Sequence, residues 1–236
     1  MTMITFRQAV RDALREEMRQ DPRVFILGVD IGGYGGVFKV TEGLLAEFGP
    51  DRVIDTPISE SAIVGAAVGA ALVGRRPVAE VMYADFATIA MDHIANSAAK
   101  MSYMYGGELT APLVIRMAYG AGRRSGAHHS QSPEAMFANF PGLTVVMPST
   151  PCDAKGLLKS AIRCPNPVIF MEHKLLYNKT GEVPDEEYLV PLGTADVKRA
   201  GSDVTIAATG IMVDKALLAA QQLEEESGLG AEVIDL

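Results

Sequence analysis

The sequence predicts an α/β fold, a mostly parallel sheet with helices on both faces. Apolar runs of strand length alternate with segments of helical spacing almost throughout the 236 residues. Strands alternating with helices argue for a mostly parallel sheet covered on both faces. With 48% hydrophobic and 21% charged residues, the chain can fill a core between such layers.

The elements follow in order. Thr5 and Gln8 match a capping box ahead of a helix whose apolar stripe is Phe6, Val10, Leu14 and Met18. Residues 24 to 29 (VFILGV) read as a buried strand, and 28 to 36 (GVDIGGYGG) as a glycine loop. Thr41 is placed to cap a short helix through Phe48, and 52 to 55 form a strand leading to Glu60. Residues 62 to 74 are nearly all small or apolar; Gly65 and Gly69, with Gly74 beyond, give that helix a small-residue face suited to close contact. A strand over 78 to 82 precedes a helix from Asp85 towards Met101. A strand over 113 to 117 leads into a long glycine-rich loop, 119 to 132. Ser132, Pro133 and Glu134 read as an N-cap with proline at the first helical position. A strand over 143 to 147, a helix opened by Thr150 and Pro151, and a strand over 168 to 171 complete the series.

Residues 184 to 191 (PDEEYLVP), charged and flanked by prolines, mark a boundary, giving units over 1–190 and 191–236. The second holds a strand over 204 to 208, a helix over 213 to 226 and an apolar run over 231 to 236. One such βαβ unit leaves its last strand at a raw edge, so this unit is expected to be incomplete.

Composition excludes several function classes. The net charge is −8, with no basic cluster beyond pairs such as Arg75-Arg76 and Arg123-Arg124, a poor match for nucleic acid. No apolar run reaches the ~18 residues that a membrane span requires, and the first residues, MTMITF, lack the pattern of a secretory signal. Two cysteines, Cys152 and Cys164, make neither a disulfide framework nor a four-cysteine zinc site, and a cytoplasmic location is expected. There is no nucleophile elbow, HExxH, P-loop or CxxC pair. The adjacent His128 and His129, in extended backbone, would point to opposite faces and could not share a metal.

Several segments occur in a specific order: GGVFKVTEGL (35 to 44), DTPISE (55 to 60), GRRPVAEVMYADF (74 to 86) and HSQSPEAMFANFPGLTVVMPSTPCDAKGLLKSAI (129 to 162). Together they resemble the β subunit of thiamine-diphosphate-dependent 2-oxo acid dehydrogenases, the decarboxylating component of the pyruvate and branched-chain complexes, a group that includes the acetoin dehydrogenase β subunit. The resemblance runs from about Phe6 to the C-terminus and implies a thiamine-diphosphate-binding fold of the pyrimidine-domain type, followed by the start of a transketolase C-terminal-like domain.

The resemblance also implies roles. Glu60, in PISE, matches the glutamate that hydrogen-bonds the aminopyrimidine ring and activates the coenzyme; such proton transfer is worth about 10²–10⁴-fold. Phe86, in ADF, matches the aromatic that packs on that ring. His129, in HSQ, matches the histidine near the substrate and the incoming lipoyl group. Leu113, Ala161, Cys164 and Asn166 match a structural potassium site built mainly from backbone carbonyls, with Cys164 where aspartate is common. Val29 stands where relatives often carry glutamate, which puts the family's acidic link between paired active sites in doubt.

The chain has no GDG motif for the coenzyme's diphosphate and magnesium. The resemblance assigns that half to an α subunit in an α₂β₂ tetramer, with a second β subunit and a lipoyl acyltransferase core as further partners. The expected function is oxidative decarboxylation of a 2-oxo acid, or cleavage of acetoin, with acyl transfer to lipoyl-lysine. The alternatives are a split transketolase-type half, against which the HSQ and DAKGLL segments weigh, and a non-catalytic assembly module.

Overall fold

Thr5 ends one element and begins the next. The computed structural model describes residues 1–236, and its first strand, β1 (Thr2–Thr5), runs directly into α1 (Phe6–Gln20). The capping box forms as predicted: the Gln8 N–H donates to Thr5 Oγ1 at 3.3 Å, and the Thr5 N–H donates to Gln8 Oε1 at 2.8 Å. The chain continues through β2 (Val24–Gly28), α2 (Leu44–Phe48), β3 (Val53–Asp55), α3 (Glu60–Leu72) and β4 (Arg76–Val81). A 3-10 segment (Ala84–Ala90), a π-helical segment (His93–Ala98) and α4 (Met101–Met104) lead to β5 (Val114–Tyr119). A 3-10 turn (Ala127–His129), α5 (Glu134–Ala138), β6 (Thr144–Val146), α6 (Pro151–Arg163) and β7 (Val168–His173) follow.

These strands form a six-stranded, wholly parallel sheet in the order β3-β2-β4-β5-β7-β6. Its two faces carry separate cores. On one, α1 and α6 pack Phe6, Leu14, Met18, Leu158 and Ile162 against Val78, Val114 and Phe170. On the other, α3 and the segments after β4 pack Ile63, Val64, Ala84 and Ile94 against Ala79, Ile115 and Met171. Successive residues of one strand serve opposite faces, so the strands are largely apolar, with Glu80, Arg116 and Glu172 as buried charged exceptions in β4, β5 and β7. Thr150 caps α6 as predicted, its Oγ1 accepting the Asp153 N–H at 3.1 Å, with Pro151 in the first turn.

The remaining strands make two smaller sheets. β8 (Thr180–Val183) pairs antiparallel with β1 and ties the N-terminus beneath α6. β9 (Asp196–Arg199), β10 (Val204–Ala208), α7 (Ile211–Ser227) and β11 (Ala231–Asp235) form a second unit with the strand order β10-β11-β9. Here the expectation of a raw last strand fails: β11 is central, because β9, too polar and short to read as a strand, pairs antiparallel with it. Ser149 donates to Asp235 at 2.5 Å, and Lys198 bridges Asp153 at 2.9 Å and Asp196 at 2.8 Å, joining this unit to the N-terminus of α6.

Other local expectations are corrected as well. Thr41 does not cap a helix; its hydroxyl donates to the Ile31 carbonyl at 2.6 Å, and Gly43 stands at the start of α2. The single helix expected from Asp85 to Met101 is instead three short segments of different winding. Ser132 caps nothing, since α5 begins at Glu134 with Pro133 at its N-cap and no side-chain cap. His128 and His129 lie in a 3-10 turn rather than extended backbone.

Candidate functional site

All six parallel strands end at the same edge of the sheet, where the connections splay and an open α/β sheet presents its crevice. Glu60, Phe86 and His129 sit in the connections after β3, β4 and β5 respectively.

Glu60 is the first residue of α3 and only 8% exposed. Its carboxylate makes no hydrogen bond or ion pair with any residue of the chain, and its oxygens are not buried, so they reach solvent. The helix start favours its negative charge. α3 packs against the 3-10 segment that carries Phe86. The ring of Phe86, half-buried, meets the imidazole of His129 edge-on, with centroids 5.5 Å apart and planes at 90°. Phe86 and His129 are thus in direct contact, whereas Glu60 is tied to them only through the packing of α3.

Two further residues complete this edge. Tyr83, just beyond β4, places its ring 4.5 Å from that of His129. Lys174, just beyond β7 and buried, donates to the His129 carbonyl and lies 5.1 Å from the Tyr83 ring centroid. Neither stood out in the sequence, although both directly follow apolar strand runs, the position where site residues concentrate in parallel sheets. His173, at the end of β7, is pushed down to about 4 by burial and by the neighbouring Lys174 cation, so its ring is neutral at pH 7. Its Nε2 lies 2.2 Å from where a Cβ on Gly120 would stand; with φ at +92°, only glycine fits there.

Behind the site, on the α1 and α6 face, Arg116 forms a bidentate pair with Glu172 at 2.6 and 2.7 Å and reaches Glu80 at 2.7 Å. Tyr177 donates to Glu172 at 2.9 Å. Burial pushes the Glu80 carboxyl up, opposed by Arg116.

The arrangement fits half of a heterocycle site. Buried side-chain oxygens without partners, Thr56 Oγ1 and Asp85 Oδ2, lie in the connections after β3 and β4, near Glu60 and next to Phe86 in the sequence. These three groups could accept and donate at a nitrogenous ring while Phe86 packs on its face. Glu60, Phe86 and His129 line none of the larger cavities.

The residues matched to a cation lie at the opposite end of the sheet. The Leu113 carbonyl accepts the Val168 N–H at 3.0 Å, and that of Ala161 accepts the Cys164 N–H at 3.2 Å. The Cys164 carbonyl takes the Arg76 guanidinium at 3.2 Å, and the Asn166 N–H faces Cys164 Sγ at 3.5 Å. Each carbonyl keeps a second lone pair, and a cation at Cys164 would share it with a fixed positive charge. The largest cleft, about 770 Å³, also lies at this end, lined by Lys100, Tyr103, Gly142 and Asn166.

The helix with the small-residue face has an internal reason for one of its glycines. A Cβ on Gly65 would lie 3.1 Å from His93 Nε2, whereas Gly69 faces open space beside the exposed Ala62, Ala66 and Val73.

Comparison with known proteins adds an independent line. Residues 2–180 match the family described as transketolase, pyrimidine binding domain, and residues 193–236 match transketolase, C-terminal domain. The whole chain is 50% identical to the 2-oxoisovalerate dehydrogenase subunit beta of Bacillus subtilis (strain 168), spanning 72% of that protein. It is 49% identical to the pyruvate dehydrogenase E1 component subunit beta of Rhizobium meliloti (strain 1021), spanning 51% of it. Over 99% of its length it is 50% identical to the acetoin:2,6-dichlorophenolindophenol oxidoreductase subunit beta of Cupriavidus necator, spanning 71% of it. Among solved structures, a split gene transketolase, described as an inactive beta4 tetramer, superposes with a TM-score of 0.79 at 28% identity, covering 99% of this chain and 70% of that one.

Proposed function

The chain belongs to the transketolase-like family of 2-oxo acid and acetoin dehydrogenase β subunits, and on that premise we propose that it supplies the pyrimidine-binding half of a thiamine diphosphate site completed by an α subunit. The reaction is decarboxylation of a 2-oxo acid, or cleavage of acetoin, with acyl transfer to a lipoyl group. The observation that carries this reading is Glu60, at the start of α3 and without a partner in the chain, on the helix that packs against the segment bearing Phe86, which in turn meets His129.

When bound, thiamine diphosphate supplies the carbanion chemistry. Glu60 would share a proton with a ring nitrogen of the aminopyrimidine, Phe86 would pack on that ring, and His129 would hold and pass protons near the reacting carbon and the lipoyl sulfur. Magnesium and the diphosphate fall to the α subunit, a second β subunit completes an α₂β₂ assembly, and a lipoyl acyltransferase core receives the acyl group. The unpaired Cys152 and Cys164 suit a reducing cytoplasm. The division into units over 1–190 and 191–236 belongs to the same proposal. So does a structural potassium ion at Leu113, Ala161, Cys164 and Asn166, tested by melting the assembly in potassium against sodium; equal melting temperatures would remove it.

Co-purification with the α partner, followed by assays on pyruvate, branched 2-oxo acids and acetoin, tests the function. Coenzyme-dependent turnover of one of them is expected. Assembly without turnover of any would favour a scaffold, and turnover only with sugar phosphates would favour a transketolase half.

A further inference from the structure

We infer that Lys174 is a positioning residue that holds His129 in place for the reaction; the inference rests on the function proposed above. Lys174 is 3% exposed and has no carboxylate within ion-pairing distance. Asp85 acts on it electrostatically from beyond ion-pairing distance, so a buried ammonium here still calls for a specific compensating contact. Its hydrogen bond goes to the carbonyl of His129, and its ammonium lies 5.1 Å from the Tyr83 ring centroid, within cation–π range. Tyr83 in turn lies against the His129 ring, so one ammonium braces both the backbone of His129 and the ring beside its imidazole.

The connection that carries His129 needs such a brace. Residues 121 to 128 are all exposed, and the stretch has one short 3-10 turn of its own. It is tied back by the Gly120 N–H to the Gln131 carbonyl at 2.9 Å, by the Gln131 N–H to Asp85 Oδ1 at 3.2 Å, and by Lys174 to His129 itself. The Lys174 N–H donates to the Tyr119 carbonyl at 3.1 Å, anchoring the lysine at the end of β7. The sheet thereby sets where the imidazole stands, and catalytic geometry tolerates little displacement.

The test is a double-mutant cycle in the α/β assembly with coenzyme: His129→Ala, Lys174→Met, both together, and Lys174→Arg, with kcat counted per bound coenzyme so that poor folding lowers yield rather than rate. Lys174→Met is expected to lower kcat at least tenfold with KM for the 2-oxo acid within about twofold. Lys174→Arg, which keeps a donor, should recover most of that loss, and the double variant should be no slower than His129→Ala alone. A Lys174→Met enzyme within twofold of wild type, beside a crippled His129→Ala, overturns the inference and leaves the proposed function standing. Losses that multiply in the double variant overturn it too, because Lys174 then acts independently of His129. An active His129→Ala enzyme would instead defeat the role assigned to His129, and this inference with it.

Discussion

Phe86 stands edge-on to His129, ring centroids 5.5 Å apart, so the connection after β4 and the connection after β5 meet through two rings. On the proposed function, Phe86 packs on the coenzyme ring. Aromatic pairs contribute about 0.5–1.5 kcal/mol beyond their buried area. Phe86→Ala should therefore raise the coenzyme concentration for half-maximal activity of the α/β assembly about tenfold, with little change in melting temperature. Unchanged coenzyme titration would remove Phe86 from the site.

Arg116 neutralises one of the two carboxylates, Glu80 and Glu172, that share it inside the sheet. Arg116→Met leaves both buried without a cation, a loss of about 3–5 kcal/mol. Urea unfolding should report that loss. A change below about 1 kcal/mol would mean that water reaches the cluster.

Acid should weaken the fold through His173. Its folded pKa is lowered from 6.5 to about 4, so the unfolded chain takes up a proton that the folded chain refuses. The stabilisation is complete above pH 6.5 and declines as the pH falls towards 4, with a slope of up to about 1.4 kcal/mol per pH unit. His173→Asn should flatten that part of the pH–stability curve; an identical slope in the variant would place the titration elsewhere.

Gly120→Ala should cost about 1–3 kcal/mol, the usual range for overpacking. The new methyl group would collide with His173 at a left-handed backbone position. Activity should fall as well, because the Gly120 N–H holds the Gln131 carbonyl two residues from His129. A stable, fully active variant would show that this loop need not be fixed.

The parallel sheet was legible because its longer strands are largely apolar runs alternating with helical segments, interrupted only by single charged residues such as Glu80, Arg116 and Glu172, and α1 and α6 because Thr5 and Thr150 are side-chain caps with the right spacing. The stretch after β4 was misread because alanine-rich sequence accommodates 3-10, α and π winding alike, and packing against α3 decides among them. β1, β8 and β9 escaped notice because short, largely exposed strands carry no apolar periodicity. Glu60, Phe86 and His129 were singled out through ordered motifs, and their roles belong to the proposed function. Lys174 and Tyr83 were not, since only the strand order brings the ends of β4 and β7 to either side of the loop after β5.

The most direct test of the divided-site account is exchange of the coenzyme's thiazolium C2 proton with deuterium in the α/β assembly, comparing wild type with Glu60→Gln. The account predicts that exchange slows about 10²–10⁴-fold in the variant, with assembly and coenzyme binding largely preserved. Exchange at the wild-type rate would contradict it.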